Sequence, residues 1–292
     1  MRARRALITG GGGQLASDLA DQLQGVAETW APARSELDVA DAGALDSALT
    51  DFEPEVIFNC AAFHNLNVCE EEVERSFAVN AGAVKQLAGW AREHEAKLVH
   101  LSTNYVFDGT APDAYDERDL PNPRSIYAIS KLAGEHSALA YSPGALVVRT
   151  TGLYGLHGSA SKGGNFVTRM LERAGRGESL RMVADQRVQP TFTADLAAGL
   201  LAAVERDVEG LVHLTNSGES SWHEFTLEIL RLAALDVPVE AVATTIRPGD
   251  VQRPLNGLLT SSIAEAAGLA PLRDWRAALS DYMERAQEPQ PS

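Results

Sequence analysis

Cysteine is scarce in this sequence. Only two cysteines occur among its 292 residues, Cys60 and Cys69, and neither belongs to a CxxC pair or to a cluster with histidine. A disulfide framework and a zinc site both require such groupings. Cys60 also lies in an apolar stretch typical of a buried strand, where a thiol is unreactive. We therefore expect no metal site and no catalytic cysteine.

Long hydrophobic runs are missing as well. No apolar run approaches the ~20 residues that a membrane-spanning helix needs. Residues 1–10 are basic, but they lead directly into a short strand and a glycine turn, without the apolar centre of a signal peptide. These two features predict a cytoplasmic protein in a reducing compartment, with no membrane partner.

Positive charge is in short supply. Lysine and arginine total 25 residues against 40 aspartates and glutamates, which gives a formal net charge of -15. Such a chain repels the phosphates of nucleic acids and of anionic membranes, so we expect no nucleic-acid partner. The net charge does not exclude a small phosphate-bearing ligand, because a few nearby hydrogen-bond donors can bind it. At 45% hydrophobic and 22% charged residues, the chain can bury a globular core.

Strand-like and helix-like segments alternate through the first half of the chain. Short apolar runs predict strands at residues 5–9, 28–32, 55–59, 97–102 and 145–149. Amphipathic spacing predicts helices at residues 15–23, 41–52, 70–94 and 130–140. Strands that alternate with helices of this length form βαβ units. The sequence therefore predicts an α/β fold with a Rossmann-like, doubly wound parallel sheet.

The second half contains shorter elements. Helices are predicted at residues 165–176, 194–204 and 222–235, a strand at 211–214, and a Gly/Ser-rich loop at 155–164. We expect a smaller C-terminal α/β domain over residues 151–286. Elements around residues 194–215 are expected to return to the first domain, and residues 287–292 to form a disordered tail.

A glycine-rich turn follows the first predicted strand. Residues 9–16 read Thr-Gly-Gly-Gly-Gly-Gln-Leu-Ala, with the spacing G-x-x-G-x-x-A, and open a helix. Glycines allow a sharp turn and a close approach to a pyrophosphate, which then sits at the positive end of the helix. At the first βα junction this pattern predicts a dinucleotide-binding domain over residues 1–150. The expected contacts come from Gly10, Gly13, Gln14 and Leu15.

The residues at the end of the second predicted strand help to distinguish NAD(H) from NADP(H) as the cofactor. An acid usually stands there to bind the ribose hydroxyl of NAD, but this segment reads Trp-Ala-Pro-Ala-Arg. Arg34 can meet a 2′-phosphate, so the sequence favours NADP(H), with NAD(H) as the alternative; Arg34 as a solvated loop residue is the other interpretation. Asp38 and Val39 are expected near the adenine. The ribose and pyrophosphate are expected to lie near Cys60, Ala61, Ala62 and Phe63.

Tyr127 and Lys131 form the strongest chemical signal. At i and i+4 they share one helix face. With six tyrosines and four lysines, such a pair is expected by chance only about 0.1 times. A nearby ammonium favours the tyrosinate and lowers the phenol pKa. The tyrosine can then give a proton to an alkoxide as hydride arrives, and we also expect both residues to contact the cofactor.

Thr103 lies at the end of the fourth predicted strand, 24 residues before Tyr127. A hydroxyl at the carboxyl edge of a parallel strand faces the ligand crevice. We expect Thr103 to bind and orient a substrate carbonyl. Thr103, Tyr127 and Lys131 are thus the predicted catalytic residues of a hydride-transfer site.

Together with other segments, these residues resemble the dTDP-4-dehydrorhamnose reductase family, within the extended short-chain dehydrogenase/reductase superfamily. The resemblance spans nearly the whole chain and is carried by residues 8–15, 59–62, 102–109, 127–135, 149–150, 165–166, 185–186, 190–191 and 253–254. It implies NAD(P)H-dependent reduction of a 4-keto nucleotide sugar, with hydride from the nicotinamide and the proton from Tyr127. A nucleotide sugar is therefore the expected small-molecule partner, and a homodimer is an assembly left open.

Four positions depart from the pattern of that family. Asn104 stands where the motif usually has an acid, Asn67 where an aspartate is usual, Gly152 where a tryptophan packs near the sugar, and Ala16 where the third glycine is usual. The triad chemistry is independent of these positions. The sugar contacts are not, so the sequence leaves the sugar and its nucleotide undetermined.

The candidates for holding the substrate are mostly polar residues of the second half. We expect arginines among them to face the diphosphate charge; surface or interdomain contacts are the alternative. The candidates are Thr103, Asn104, Gly152, Asn165, Gln186, Arg187, Gln189 and Arg253.

Three other functions are compatible with parts of this sequence to different degrees. A dehydratase of the superfamily carries Asp-Glu directly after the threonine, whereas this chain has Asn104-Tyr105, which argues against that reaction. A sugar-nucleotide epimerase or another keto-sugar reductase uses the same tyrosine and lysine and stays open. The third is a non-catalytic NADP-binding regulator that resembles the β subunit of methionine adenosyltransferase.

Overall fold

Strands and helices alternate through the first half of the chain. The computed structural model describes residues 5–157, 164–247 and 249–287. In chain order the elements are β1 (Arg5–Thr9), α1 (Gln14–Leu23), β2 (Glu28–Trp30), α2 (Ala42–Phe52), β3 (Val56–Asn59), α3 (Leu66–Glu71), α4 (Val73–Phe77), a π-helical turn (Ala78–Gly82), α5 (Ala83–Glu93), β4 (Lys97–Thr103), a 3₁₀ turn (Asn104–Val106), α6 (Ile126–Tyr141) and β5 (Leu146–Thr150).

The second half consists of shorter elements. They are β6 (Leu153–Tyr154), α7 (Phe166–Gly175), β7 (Leu180–Val183), β8 (Arg187–Val188), β9 (Thr191–Phe192), α8 (Thr193–Glu205), β10 (Gly210–His213), β11 (Asn216–Ser217), β12 (Ser220–Ser221), α9 (Trp222–Leu232), β13 (Val239–Val242), α10 (Ser262–Ala266), β14 (Leu272–Asp274) and α11 (Trp275–Arg285). Of the predicted loop and tail, residues 158–163 and 288–292 lie outside the described residues. Within the described part of the chain, every helix is too short or too polar for a membrane crossing.

Six strands form one parallel sheet in the order β10-β5-β4-β3-β1-β2. The chain leaves β1 for β2 on one side and continues to β3 on the other side, so the strand order reverses at β1. At such a reversal the carboxyl ends of the strands open a crevice in which ligands bind. The predicted Rossmann-like α/β class is confirmed.

Apolar side chains cover both faces of this sheet. Along β1, Ala6 and Ile8 pack with residues of α1 and α8, whereas Leu7 packs with residues of α2 and α5. Successive side chains of a strand point to opposite faces. Because both faces are covered, the central strands are buried along nearly their whole length. All four residues of β3, for example, are buried.

A third core lies among the elements of the second half. It contains an aromatic cluster in which Tyr154 contacts Phe192, Phe225 and Tyr282, and Phe225 contacts Trp275. These residues come from β6, β9, α9 and α11, so the cluster joins helices to the short strands. Strand β10 leaves this half and pairs with β5 at the edge of the parallel sheet.

The segment predicted as one helix from residue 70 to 94 is interrupted, and that prediction is wrong. Glu72 leaves the helical conformation (φ -107°, ψ 61°) between α3 and α4. A π-helical turn then precedes α5 and contains the fully buried Asn80. A π turn adds a residue to the helix and rotates the side chains that follow. Apolar periodicity does not reveal such an insertion.

Helix α6 begins earlier than predicted. Ser125 caps it by accepting a hydrogen bond from the backbone N–H of Ala128 (3.3 Å), so Tyr127 lies in the first turn. The helix also packs tightly against the π-helical turn. A Cβ atom built on Gly134 would lie 2.1 Å from the carbonyl oxygen of Asn80.

Gly134→Ala is therefore expected to destabilise the fold. The oxygen that would clash belongs to the backbone, so α6 must shift to accept the methyl group, at a cost of about 1–3 kcal/mol in the free energy of unfolding. Urea denaturation measures this cost. Gly89→Ala in α5 is the matched control, because a Cβ there meets nothing within 4 Å, and it should stabilise by up to about 1 kcal/mol. Equal effects of the two substitutions would contradict the prediction.

Candidate active site

Thr103, Tyr127 and Lys131 converge where β4 meets α6. The side chains of Thr103 and Tyr127 lie next to each other. Lys131 is buried, and its Nζ donates a hydrogen bond to the carbonyl oxygen of Leu101 (2.5 Å). The ring of Tyr105 stands edge-on to Tyr127, with 5.9 Å between the ring centroids. The tyrosine, the threonine and the lysine thus share one wall of the crevice.

Burial has the largest influence on the protonation states of Tyr127 and Lys131. It raises the pKa of the Tyr127 phenol, and the neighbouring Thr103 hydroxyl offsets only part of the rise. We expected the Lys131 ammonium to lower this pKa, but the ammonium is engaged with Leu101 and the loss of hydration is the larger influence. Burial also lowers the pKa of Lys131, to about 8. At neutral pH the phenol therefore holds its proton, as a proton donor requires.

The glycine turn after β1 forms a cradle that side chains would fill. Gly10 has φ +79°, and a Cβ there would lie 2.9 Å from the backbone nitrogen of Ala61. A Cβ on Gly11 would lie 2.1 Å from the carbonyl oxygen of Ala31. Gly13 caps α1 with no side-chain hydrogen bond, so the N–H groups of its first turn are directed to the crevice. This arrangement fits a pyrophosphate.

Two of the predicted cofactor residues in α1 have partners within the protein. The Gln14 side-chain oxygen accepts a hydrogen bond from the backbone N–H of Gly155 (2.8 Å), which joins the cradle to the second half of the chain. Leu15 is buried in the core beneath α1. Their direct contact with a cofactor stays a prediction.

Arg34 lies in a charged group near the end of β2. Its Nε is 3.7 Å from an Asp38 carboxylate oxygen, and its side chain is 70% exposed. The same carboxylate forms an ion pair with Arg75. Val39, next in the chain, is buried in the core on that side of the sheet. Two guanidinium groups thus stand where a phosphate on the adenosine ribose would be expected.

The segment that follows β3 is held in place by a residue that sequence reasoning missed. The Asn80 side-chain oxygen accepts a hydrogen bond from the N–H of Phe63 (2.9 Å), and its amide nitrogen donates to the Phe63 carbonyl and to the Ser130 hydroxyl (both 2.9 Å). An asparagine inside an apolar helical pattern was the available signal. Burial raises the pKa of Cys60 to about 12, so this thiol is neutral.

Five of the substrate candidates come together around the end of β4. The Asn104 amide donates to the Gly257 carbonyl (3.3 Å), and the charge of Arg253 reaches Tyr105, where it opposes the rise that burial causes in the phenol pKa. A Cβ on Gly257 would lie 3.2 Å from the carbonyl oxygen of Arg187. A Cβ on Gly152 would lie 2.9 Å from the carbonyl oxygen of Gln189.

Several candidates already bond to other protein groups. Gln189 bonds to both the N–H and the carbonyl of Leu259. Arg187 pairs with Glu219 and donates to Pro112. Asn165 caps α7 and donates to Gly155 and Tyr282, while Gln186 donates to Thr244. These contacts hold loops together; whether the same residues also touch substrate stays a prediction.

Comparison with known proteins identifies the family. The sequence model of the RmlD substrate binding domain matches residues 4–288. A dTDP-4-dehydrorhamnose reductase of Aggregatibacter actinomycetemcomitans is 35% identical, over 97% of this chain and 99% of the relative. A probable dTDP-4,6-dihydroxy-2-methyloxan-3-one 4-ketoreductase of Streptomyces antibioticus is 38% identical, over 95% of this chain and 94% of the relative. The chain belongs to this family, as the resemblance predicted.

A solved structure agrees along the whole fold. It is dTDP-4-dehydrorhamnose reductase of Bacillus anthracis in complex with NADP, which covers 98% of this chain and 99% of its own at a TM-score of 0.91 and 29% identity. The cradle described above therefore belongs to a fold that holds NADP in that relative.

Asn80→Ala is expected to loosen the cofactor side of the site. It removes the partner of the Phe63 N–H and leaves the Phe63 carbonyl with only the Cys69 thiol, so we expect a loss of about 1–3 kcal/mol in the free energy of unfolding and weaker NADPH binding. Thermal unfolding and quenching of protein fluorescence by NADPH measure the two effects. Ser130→Ala is the matched control, because it removes only one of the three bonds of Asn80. NADPH affinity that is unchanged in folded Asn80→Ala would refute this role.

Proposed function

We propose that this member of the RmlD substrate binding domain family reduces a 4-keto nucleotide sugar with NAD(P)H. The observation that carries the proposal is that Thr103 and Tyr127 lie next to each other at the end of β4, in the same parallel sheet whose strand β1 ends in the glycine cradle. The names of the relatives, which are keto-sugar reductases, support the same activity. The protein is an oxidoreductase of the extended short-chain dehydrogenase/reductase type.

The side chains supply binding, orientation and a proton. The Thr103 hydroxyl holds the substrate carbonyl beside Tyr127, whose raised pKa keeps the phenol protonated at neutral pH. A nicotinamide cofactor held at the glycine cradle would supply hydride for the carbonyl carbon. As negative charge develops on the carbonyl oxygen, the Tyr127 hydroxyl gives up its proton to it. The resulting tyrosinate is stabilised by the Thr103 hydroxyl and by the positive charge of Lys131 on the same helix face.

For the cofactor we favour NADP(H) over NAD(H). Arg34 is exposed beside Asp38 and Arg75, and no acid stands at the end of β2 to accept the ribose hydroxyl. A guanidinium forms strong paired bonds with a phosphate. The relative from Bacillus anthracis was solved with NADP, which supports this preference.

On the substrate side, Arg253 is our candidate for the diphosphate. It is exposed, and its charge opposes the rise in the pKa of Tyr105, whose ring contacts Tyr127, so this charge lies next to the proposed chemistry. Asn104 and Gly152 are proposed to shape the sugar pocket. The homodimer stays a prediction.

Tyr127→Phe is expected to lower kcat by at least about 10²–10⁴-fold, because no other group replaces its proton. NADPH binding should change little. The assay follows NADPH oxidation with a panel of 4-keto nucleotide sugars, and Tyr141→Phe, an exposed tyrosine of the same helix, serves as the matched control. Wild-type rates in Tyr127→Phe would sink the mechanism. Epimerised sugar without net NADPH oxidation by the wild type would identify an epimerase instead.

Arg34→Ala tests the cofactor preference. Loss of a charge-assisted bond to a phosphate is expected to raise the KM for NADPH by about tenfold or more, while the KM for NADH stays unchanged. Steady-state kinetics with the two cofactors give the ratio. Arg92→Ala, an exposed arginine on α5, is the control. Equal changes in both KM values would show that Arg34 does not read the 2′-phosphate.

A further inference from the structure

Glu135 is a buried acid to which the reaction described above assigns no role. It follows Lys131 by four residues and Tyr127 by eight, so the three side chains lie along one face of α6. Only 3% of its surface is exposed. A buried carboxylate is costly unless it is paired and hydrogen-bonded, so its place beside the lysine calls for an explanation.

Two strands of the central sheet bind this carboxylate. Arg149 of β5 reaches both of its oxygens, with Nε at 2.9 Å and Nη2 at 2.6 Å. Ser102 of β4, the residue before Thr103, donates its hydroxyl to the same group. All three residues are buried. Glu135 thus ties α6 to β4 and β5, directly behind the site that Tyr127 and Thr103 form.

Glu135 also influences the charge of Lys131. Burial lowers the pKa of this lysine to about 8, and Glu135 is the first among the groups that oppose the fall. The neighbouring Cys60 thiol has its pKa raised to about 12, and burial holds the pKa of His100 well below its usual range, so both are neutral near pH 7. Tyr127 keeps its proton. Among the described groups that face Lys131, Glu135 is therefore the negative one.

We propose that Glu135 is a positioning residue that keeps the Lys131 amine positively charged and in register with the Leu101 carbonyl. Its carboxylate supplies the negative charge, and its bonds to Ser102 and Arg149 set the height of α6 on the sheet. The effect on turnover rests on the proposed function; the effect on the charge of Lys131 does not.

A purely structural role makes a different prediction. Buried ion pairs are often replaced by apolar residues of similar volume without loss of stability. If Glu135 served only to hold α6 on the sheet, the double variant Glu135→Met and Arg149→Met would keep both the fold and the wild-type titration of Lys131. If the charge of Glu135 matters, the same double variant folds, but its Lys131 titrates at a lower pH than in the wild type.

The chain offers a direct way to observe this lysine. It has only four lysines, so labelling with [¹³Cε]lysine yields four NMR signals, and Lys131→Met identifies that of Lys131. We expect the Lys131 signal to titrate at a pH lower by about one unit or more in the double variant. The shift should be larger in Glu135→Gln, where Arg149 stays charged. Ser102→Ala keeps the carboxylate and should leave the titration unchanged, and the signal of Lys85 on α5 is the internal reference.

Turnover supplies the second measurement. The alkaline limb of the kcat/KM profile should move to lower pH by the same interval as the NMR titration in each variant. A Lys131 signal that titrates as in the wild type in the folded double variant would overturn the proposal. A shifted titration in a protein that reduces no keto sugar would support it and overturn the proposed function instead.

Discussion

Buried polar contacts between α6 and the central sheet determine where the reactive groups stand. Lys131 donates to the Leu101 carbonyl, Ser102 donates to Glu135, and Arg149 reaches the same carboxylate from β5. A buried charge without its partner costs several kcal/mol, so a helix that slid along the sheet would lose more than packing. Because α6 is held at this height, the Tyr127 hydroxyl meets the hydroxyl of Thr103 at the end of β4.

The cofactor side of the crevice depends on close approach of backbones. Gly10 accepts a left-handed conformation next to Ala61, and Gly134 allows α6 to touch the π-helical turn that contains Asn80. Asn80 in turn holds both backbone groups of Phe63. The catalytic side and the cofactor side of the crevice are therefore coupled. Helix α6 presents Tyr127 and also supports, through Asn80, the segment on which the cofactor is proposed to lie.

The substrate side is built from loops that bond to one another. Gln189 bonds to Leu259, Asn104 bonds to Gly257, and Arg187 joins Glu219 to Pro112. Polar residues that the sequence predicts for substrate binding thus hold distant parts of the chain together. Arg253, by contrast, is exposed.

Local patterns in the sequence determined the α/β class, the strand at residues 97–102 and the shared face of Tyr127 and Lys131, because periodicity and i, i+4 spacing need only neighbouring residues. They did not determine the break at Glu72 or the π-helical turn, because both depend on contacts with other elements of the fold. Nor did they reveal that Lys131 binds Leu101, that Asn80 binds Phe63, or that Glu135 binds Arg149. Those partners lie 30, 17 and 14 residues apart, and only the closing of the sheet against its helices brings them together.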